Sequence, residues 1–231
     1  MMVQRIIITA MVVCFSIMAG ANQWHDEADR CWNEAQKYKK ERNIKQAVEY
    51  LKRAVMAERK NENPRVEELV AQLNDLGQSY DILGDYNKSL HYYKLMQATC
   101  KKYNVADHEA MAVNNIGQAY FHLDRFDEAM VLYKEALEIS RKYAFKDRMV
   151  LALNNMALVH RVKKDFIGAK ECYDEALIYA RDAKIRDNMA AITSNAGTMY
   201  YFMKEYDRAL ELYTEALGID RRRVSDEYLT V

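Results

Sequence analysis

The sequence of 231 residues predicts an all-α fold in which five antiparallel helix pairs stack into a solenoid. Three observations lead to this prediction. The chain contains one Pro and seven Gly, whereas folds built from strands and turns use both residues freely. Similar segments recur every 40 residues along most of the chain. Small and aromatic residues occupy fixed places within each segment, which is typical of helices that pack on their neighbours in a repeat array.

The first 21 residues differ from the rest and are predicted to be a secretory signal peptide (1–21). Arg5 is the only charged residue before the 13-residue apolar run Ile6–Met18, and Ala19-Gly20-Ala21 follows as an A-x-A cleavage motif. The run is shorter than the ~20 apolar residues of a membrane-spanning helix. We therefore expect export to the periplasm or cell envelope. Two alternatives stay open, namely an uncleaved N-terminal membrane anchor and a cytosolic protein whose apolar start is not a signal.

The repeats follow this segment in a constant register. The segments LNDLGQSY, VNNIGQAY, LNNMALVH and TSNAGTMY begin at positions 73, 113, 153 and 193, and a weaker copy lies 42 residues upstream of the first. Asn63-Pro64 is a typical helix start, with a capping residue before a Pro in the first turn. The predicted solenoid spans residues 22–223, and a short C-terminal tail spans 224–231. Its repeats lie near 26–60, 64–103, 105–143, 145–183 and 185–221.

The recurring residues explain why the helices pair. Small residues on the first helix of each pair let the two backbones approach closely, and these are Gly77, Gly117, Ala157 and Gly197. Small residues also recur on the second helix, at Ser89, Ala129, Ala169 and Ala209. Aromatic residues four positions later are expected to fill the space between one pair and the next, and these are Tyr93, Tyr133, Tyr173 and Tyr213. No pair buries its apolar face alone, so stacking supplies the stability.

This pattern resembles the tetratricopeptide family, whose motif is W-x2-L-G-x2-Y followed by A-x3-F. The third repeat has Val113, Ile116, Gly117 and Tyr120 at the first motif's spacing, then the pair Ala129-x3-Tyr133. The resemblance implies a right-handed α-solenoid whose first helices line a concave groove. The 40-residue period exceeds the family's usual period of about 34 residues. It is similar to that of bacterial sensor and peptide-receptor proteins and of kinesin light chains, in which asparagines in the groove hold a peptide backbone.

Asparagines recur in this chain on the first helices, where the groove is expected. An amide side chain offers both donors and an acceptor, as an extended peptide backbone does. The predicted peptide-binding residues are Asn114, Asn115, Gln118, Phe121, Asn154, Asn155, Arg161, Asn195 and Tyr201. Asn115, Asn155 and Asn195 are expected to form a ladder that Asp75 interrupts in the second repeat. A second interpretation is that the amides bond neighbouring helices or cap helix carbonyls.

The composition restricts the partners. The 34 acidic and 34 basic side chains give no net positive charge for binding nucleic acid. No P-loop, nucleophile-elbow, H-E-x-x-H or C-x-x-C motif is present, so neither an enzyme nor a cofactor, metal site or small-molecule substrate is expected. The three cysteines after the signal, Cys31, Cys100 and Cys172, are an odd number and are expected to be buried apolar residues.

The predicted function is therefore a non-catalytic protein–protein interaction module that binds a peptide or partner segment in its groove. The alternative is a structural scaffold or regulatory subunit that assembles through its convex face or its uncapped C-terminal end. An apolar strip is expected on the last helix, because solenoids usually end in a helix with a polar outer face. That strip is expected to self-associate or to dock on another protein. A membrane partner is expected only if the N-terminal segment stays uncleaved.

Overall fold

The computed structural model describes residues 23–182 and 189–229, with side chains up to residue 219. The predicted signal peptide and the first residues of the predicted fifth repeat (185–188) lie outside this part of the chain. Ten α-helices make up the regular structure of the described residues, and this confirms the predicted all-α repeat fold. They are α1 (23–40), α2 (Ile44–Lys60), α3 (Val66–Ile82), α4 (Tyr86–Tyr103), α5 (Ala106–His122), α6 (Phe126–Tyr143), α7 (Lys146–Val162), α8 (Phe166–Asp182), α9 (Met189–Phe202) and α10 (Tyr206–Leu229).

The chain forms two compact units, Met1–Tyr103 and Asn104–Val231. In the first unit, α2 packs against α3 and α3 against α4. In the second unit each helix from α5 to α10 packs against the next one, so that the helices form three pairs, α5–α6, α7–α8 and α9–α10. A continuous apolar core from Val113 to Leu212 joins these three pairs. Each unit is thus a stack of helix pairs, as the repeat predicts.

A backbone turn with one left-handed residue ends the first helix of a pair. The turn residues recur at the 40-residue period as Gly84 (φ 74°), Asp124 (φ 58°), Lys164 (φ 60°) and Lys204 (φ 64°). After α5, the N–H of Arg125 donates to the carbonyl of Tyr120 at 3.0 Å, which satisfies a carbonyl at the helix end. Only the first of these turns uses Gly, so the others place a side chain in a conformation that L-residues rarely adopt.

The two helices of a pair meet where a small residue faces a tyrosine ring. A Cβ atom added to Gly117 would lie 2.7 Å from Cε1 of Tyr133, and one added to Gly197 would lie 3.1 Å from Cε1 of Tyr213. Tyr133 is almost fully buried, at 2% exposure. The predicted tight packing at the small residue is found, and at Gly117 the group that lies against it is the ring of Tyr133. The ring position differs from the prediction, because each of these rings lies over the glycine of its own pair.

The helices of the second unit are joined differently on its two sides. On the side of the second helices, ion pairs between long side chains recur. Arg141 pairs with Glu175 at 2.6 Å, and Arg181 pairs with Glu215 at 2.8 Å. On the side of the first helices, α5 and α7 approach each other more closely than α6 and α8 do. There a bond between two short amide side chains is enough to span the gap. The first helices α5 and α7 are therefore in direct contact through their side chains.

The remaining predictions about the helices concern the cysteines and the C-terminus. Cys31, Cys100 and Cys172 are buried, as predicted. Burial raises the pKa of the Cys172 thiol to about 11, which keeps it protonated. The helix α10 continues to Leu229, so residues 224–229, assigned to a tail from the sequence, form its last turns. Within the described residues, none of the helices has the length and apolar character needed to span a membrane.

Candidate functional site

The candidate site is the side of α5, α7 and α9 that carries the recurring asparagines, called here the α5–α7–α9 face. Positions 114, 118 and 121 of α5 lie on one side of that helix because they are separated by about one helical turn. The equivalent positions of α7 and α9 follow at the 40-residue period. The side chains that make up the face are Asn114, Asn115, Gln118, Phe121, Asn154, Asn155, Leu158, Arg161, Asn195, Thr198 and Tyr201.

A short chain of amide hydrogen bonds joins the first two helices of this face. The Nδ2 of Asn155 donates to Oδ1 of Asn114 at 2.9 Å, and the Nδ2 of Asn154 donates to Oδ1 of Asn155 at 3.3 Å. Asn114 and Asn115 are each only 8% exposed, whereas Asn154 and Asn155 are half-buried. The amides of α5 and α7 therefore bond neighbouring helices, as the second interpretation of the sequence proposed.

This amide chain stops before α9. By the register of the Asn155–Asn114 bond, Asn195 would donate to Asn154. In the structure Oδ1 of Asn154 is instead buried and has no hydrogen-bond partner among the described residues. The side chain of Asn195 is half-buried and likewise forms no hydrogen bond within the described part of the chain. Since buried polar atoms are almost always hydrogen-bonded, the unpaired oxygen of Asn154 is a group that a bound ligand could satisfy.

Three of the predicted site residues occupy equivalent positions near the ends of their helices. Phe121 is half-buried, and its ring packs edge-on against Phe126 at a centroid distance of 5.3 Å. Arg161 is exposed and forms no ion pair within the described residues. Tyr201 is 54% exposed, and its ring lies 5.6 Å from that of Tyr206. The face thus offers a cation and an aromatic ring to solvent, while Phe121 packs mainly within its own helix pair.

Two hydroxyl groups of the site were not predicted from the sequence. The hydroxyl of Tyr173 is buried without a hydrogen-bond partner among the described residues. Burial raises the pKa of Tyr173 to about 12, and the positive charge of Arg161 opposes this rise. The hydroxyl of Tyr213 donates to Oγ1 of Thr198 at 3.1 Å. The repeat alignment predicts that these tyrosines are in the core. It does not predict which groups their hydroxyls contact.

The first unit has its own version of the link between first helices. Oδ2 of Asp75 on α3 accepts a hydrogen bond from Nε1 of Trp32 on α1 at 3.0 Å. Oδ1 of Asp75 accepts one from Nζ of Lys39 at 2.7 Å, and Gln36 also donates to this carboxylate. In the sequence Asp75 interrupts the asparagine ladder. In the structure it occupies the position of Asn155 and joins neighbouring first helices with a charged group.

The structure thus brings part of the predicted site together. The three residues Asn114, Asn154 and Asn155 are connected by hydrogen bonds, and Asn195 lies one helix further along the same face. Gln118 is exposed and lies on α5 one turn after Asn114, between the asparagines and Phe121. No group of three or more His, Cys, Asp or Glu side chains within the described residues could hold a metal ion. The chemistry of the face is therefore that of amides, one guanidinium and aromatic rings.

The fold defines an α-helical repeat protein built from stacked antiparallel helix pairs. Comparison with known families agrees with this class. A family model described as tetratricopeptide repeat matches residues 67–142 and 148–222, and a second model with the same description matches residues 28–61. The chain therefore belongs to the tetratricopeptide repeat family, as its motifs predict. A comparison with curated protein sequences found no match.

Several solved structures share the fold. BtubC (BKLC) from P. vanneervenii has a TM-score of 0.71 at 18% identity, over 90% of this chain and 91% of that one. A putative kinesin light chain from Podosopora anserina has a TM-score of 0.62 at 16% identity, over 84% and 95% of the two chains. A Rap protein complexed with competence and sporulation factor has a TM-score of 0.73 at 17% identity, over 88% of this chain and 57% of that one.

At these identities the structural likeness shows the fold, and the family models carry the assignment. The chain is a protein–protein interaction module of the tetratricopeptide type. The matching family models indicate no enzymatic family.

Proposed function

We propose that the α5–α7–α9 face binds an extended peptide or partner segment, and that it does so mainly through the peptide backbone. The observation that carries this proposal is the interrupted amide chain, in which Oδ1 of Asn154 is buried without a partner among the described residues. A backbone N–H of a bound peptide would satisfy this oxygen after a rotation of the Asn154 amide. The amide of Asn195 would then hold the neighbouring peptide carbonyl, because it offers two donors.

The surroundings of these amides support the same ligand. Arg161 provides a solvent-facing cation for a carboxylate or carbonyl of the bound segment, and exposed Tyr201 provides an aromatic surface. The Rap protein with a similar fold is complexed with competence and sporulation factor, although its chain is longer than this one. Binding through the backbone would give modest selectivity among peptide sequences, with Arg161 and Tyr201 adding preferences at single positions.

The test uses peptides selected from a random display library on the immobilised chain, followed by calorimetric titration of the best binder. Asn195→Ala is the main variant, because the Asn195 side chain forms no hydrogen bond within the described residues and its loss therefore breaks none there. We expect affinity to fall by about 3- to 10-fold, the equivalent of one hydrogen bond. Asn87→Ala is the matched control, since Asn87 is exposed on α4. It should leave affinity unchanged.

A second measurement asks whether the peptide backbone is recognised. Single N-methyl groups are placed along the peptide, and one or two of them should abolish binding while most side-chain substitutions do not. The proposal fails if Asn154→Ala and Asn195→Ala bind like the parent chain. It also fails if a photo-crosslinker at exposed Val131 on α6 captures the peptide and one at Gln118 does not.

We further propose that the protein works in the periplasm or cell envelope. The support is the apolar run Ile6–Met18 followed by Ala19-Gly20-Ala21 in the sequence. Mass spectrometry of the native protein should find a mature N-terminus near Asn22, in the envelope fraction. An intact Met1 on protein in the soluble cytosol would rule out export, and an intact Met1 in the membrane fraction would indicate an uncleaved anchor.

A further inference from the structure

Tyr173 has a buried hydroxyl group that forms no hydrogen bond within the described residues. Its side chain is 0% exposed. The tyrosines at the equivalent position of the second and fifth repeats do have partners. The hydroxyl of Tyr93 donates to Oδ2 of Asp81 at 2.7 Å, and the hydroxyl of Tyr213 donates to Oγ1 of Thr198 at 3.1 Å. The fourth repeat therefore lacks an acceptor that two other repeats supply.

The residues around Tyr173 explain why this acceptor is missing. Asp81 of the second repeat corresponds to Arg161 in the fourth, and a guanidinium donates hydrogen bonds but accepts none. Thr198 of the fifth repeat corresponds to the apolar residue Leu158. Burial raises the pKa of Tyr173, and the nearby positive charge of Arg161 opposes this rise. The fourth repeat thus places a cation and a hydroxyl donor where the second repeat has a carboxylate acceptor.

Another contact in the same unit shows how a carboxylate joins a tyrosine hydroxyl to a cation. The hydroxyl of Tyr200 on α9 donates to the carboxylate of Asp174 on α8 and lies 3.0 Å from both of its oxygens. Nζ of Lys170 donates to Oδ2 of the same carboxylate at 3.1 Å. Tyr200 is only 7% exposed, so its hydroxyl depends on this acceptor. A carboxylate between Tyr173 and Arg161 would repeat this arrangement, with Arg161 in the role of Lys170.

The surroundings of Arg161 leave it available to a ligand. Arg161 is exposed and forms no ion pair within the described residues, so its side chain can move without breaking one there. Asp165, in the turn that follows, already pairs with Nδ1 of His160 at 2.7 Å. The equivalents of Arg161 on α5 and α9 are Phe121 and Tyr201, which carry no carboxylate. An acidic group of a bound segment would therefore complete the arrangement.

We infer that Tyr173 and Arg161 together bind a carboxylate of the bound segment, an inference that rests on the proposed function of the α5–α7–α9 face. One carboxylate oxygen accepts the hydrogen bond of the Tyr173 hydroxyl, and Arg161 pairs with the other. The side chain of Arg161 turns outward so that the carboxylate reaches the hydroxyl.

The position of Arg161 also predicts where the carboxylate lies in the segment. Arg161 follows Asn154 by two helical turns, which is about 10 Å along α7. An extended peptide covers this distance with about three residues. The acidic group is therefore expected about three residues from the peptide N–H that bonds to Asn154.

The carboxylate can belong to an Asp or Glu side chain or to the C-terminus of a peptide, and three synthetic libraries distinguish these sources. Each library contains peptides whose other residues are random and uncharged. The first has a fixed central Asp and an amidated C-terminus, the second a central Asn and an amidated C-terminus, and the third a central Asn and a free C-terminus. Selection on the immobilised full chain should enrich the first or the third at least about 10-fold over the second, as expected for one hydrogen bond to a charged group.

The best binder is then titrated against variants of the two residues. Tyr173→Phe should weaken binding roughly 10- to 100-fold without lowering the urea midpoint of the free chain, because it removes a hydroxyl that has no partner in the described residues. Arg161→Gln should weaken it about 3- to 5-fold at low salt and less at high salt, since this cation is exposed. Removing the peptide carboxylate should erase both effects.

Two matched controls separate this role from a structural one. Tyr93→Phe should lower the urea midpoint and leave peptide affinity unchanged, because its hydroxyl already has Asp81 as acceptor. Lys134→Gln, at an exposed residue of α6, should change neither. Circular dichroism of each variant checks that the fold is intact.

The outcomes distinguish this inference from the proposed function. Equal enrichment of the three libraries, with Asn195→Ala still weakening the binders, would overturn the inference and leave recognition of the peptide backbone intact. The inference is equally wrong if Tyr173→Phe and Arg161→Gln both bind the acidic peptide as the parent chain does. Absence of binders from every library would overturn the proposed function and this inference together.

Discussion

Replacing Gly117 by Ala tests the packing on which the helix pairs depend. In the middle of a helix this change normally stabilises by about 0.8–1 kcal/mol, because Ala is the better helix former. At this site the new Cβ would lie 2.7 Å from Cε1 and 2.9 Å from Cδ1 of Tyr133, a ring that is 2% exposed. Overpacking of a buried site costs about 1–3 kcal/mol. We therefore expect a net loss of roughly 0–2 kcal/mol in unfolding free energy.

The comparison that isolates the steric cost is Gly218→Ala. Gly218 is also helical, and a Cβ added there meets no atom within 4 Å. Urea denaturation followed by circular dichroism should show that Gly218→Ala gains stability while Gly117→Ala loses it, with a difference of about 1–3 kcal/mol. Adding Tyr133→Leu should remove that difference. If Gly117→Ala were as stable as Gly218→Ala, the close approach of α5 and α6 at Tyr133 would not limit the residue at position 117.

Three further predictions concern the turns and the links between helices. Lys164→Gly should stabilise the fold by about 0.5–1 kcal/mol in urea denaturation, because Lys164 has a φ of 60°, a left-handed conformation that favours Gly. For the same reason Gly84→Ala should destabilise the fold by about 1 kcal/mol. Asp75→Ala should lower the unfolding free energy by about 1–3 kcal/mol, since it leaves half-buried donors on α1 without their acceptor. Arg148→Ala should raise the pKa of Asp107, measured by carbon NMR of its carboxyl group. Hydrogen bonding to Arg148 now holds that pKa below its usual value.

The pH dependence of the Asp107 link follows from the direction of this shift. A carboxyl group whose pKa is lower in the folded than in the unfolded chain stabilises the fold above its unfolded pKa, and this contribution disappears as the pH falls through the folded pKa. The parent chain should thus lose stability below about pH 4, and Arg148→Ala should lose less over that range. For Asp75→Ala the control is Asp75→Asn, which keeps an acceptor for Trp32. Equal losses for both variants would contradict the hydrogen-bond explanation.

Much of the fold could be predicted from the sequence because the repeat fixes equivalent positions. The spacing between Gly117 and Tyr133 defines which sides of α5 and α6 meet, and the same spacing recurs in the other pairs. The apolar stripe on the last helix was expected for the same reason, and the exposure of Leu210 and Leu217 confirms it. The periodicity of apolar residues predicts which side of a helix packs against a neighbour. The contact between α5 and α6 and the apolar stripe both depend only on this property.

The hydrogen bonds of the candidate site could not be predicted in the same way. The aligned residues Asn115 and Asn155 suggest a bond between equivalent positions, yet Asn155 bonds to Asn114, because the offset between neighbouring helices shifts the partner by one residue. Asp75 differs from asparagine in sequence but makes the equivalent link to Trp32. Such contacts depend on helix offset and side-chain rotamers, which an alignment of repeats does not contain. The boundary between the two units after Tyr103 likewise has no signal in composition.

The two interpretations of the asparagines, as links between helices and as ligand contacts, are therefore not exclusive. The Asn154–Asn155–Asn114 chain uses short side chains to hold α5 and α7 together. The chain ends at an acceptor on Asn154 that has no partner in the described residues. A peptide bound there would extend the existing row of amides instead of competing with it. Loss of Asn114 should then weaken peptide binding indirectly, by releasing Asn155, whereas loss of Asn195 should weaken it without changing the stability of the fold.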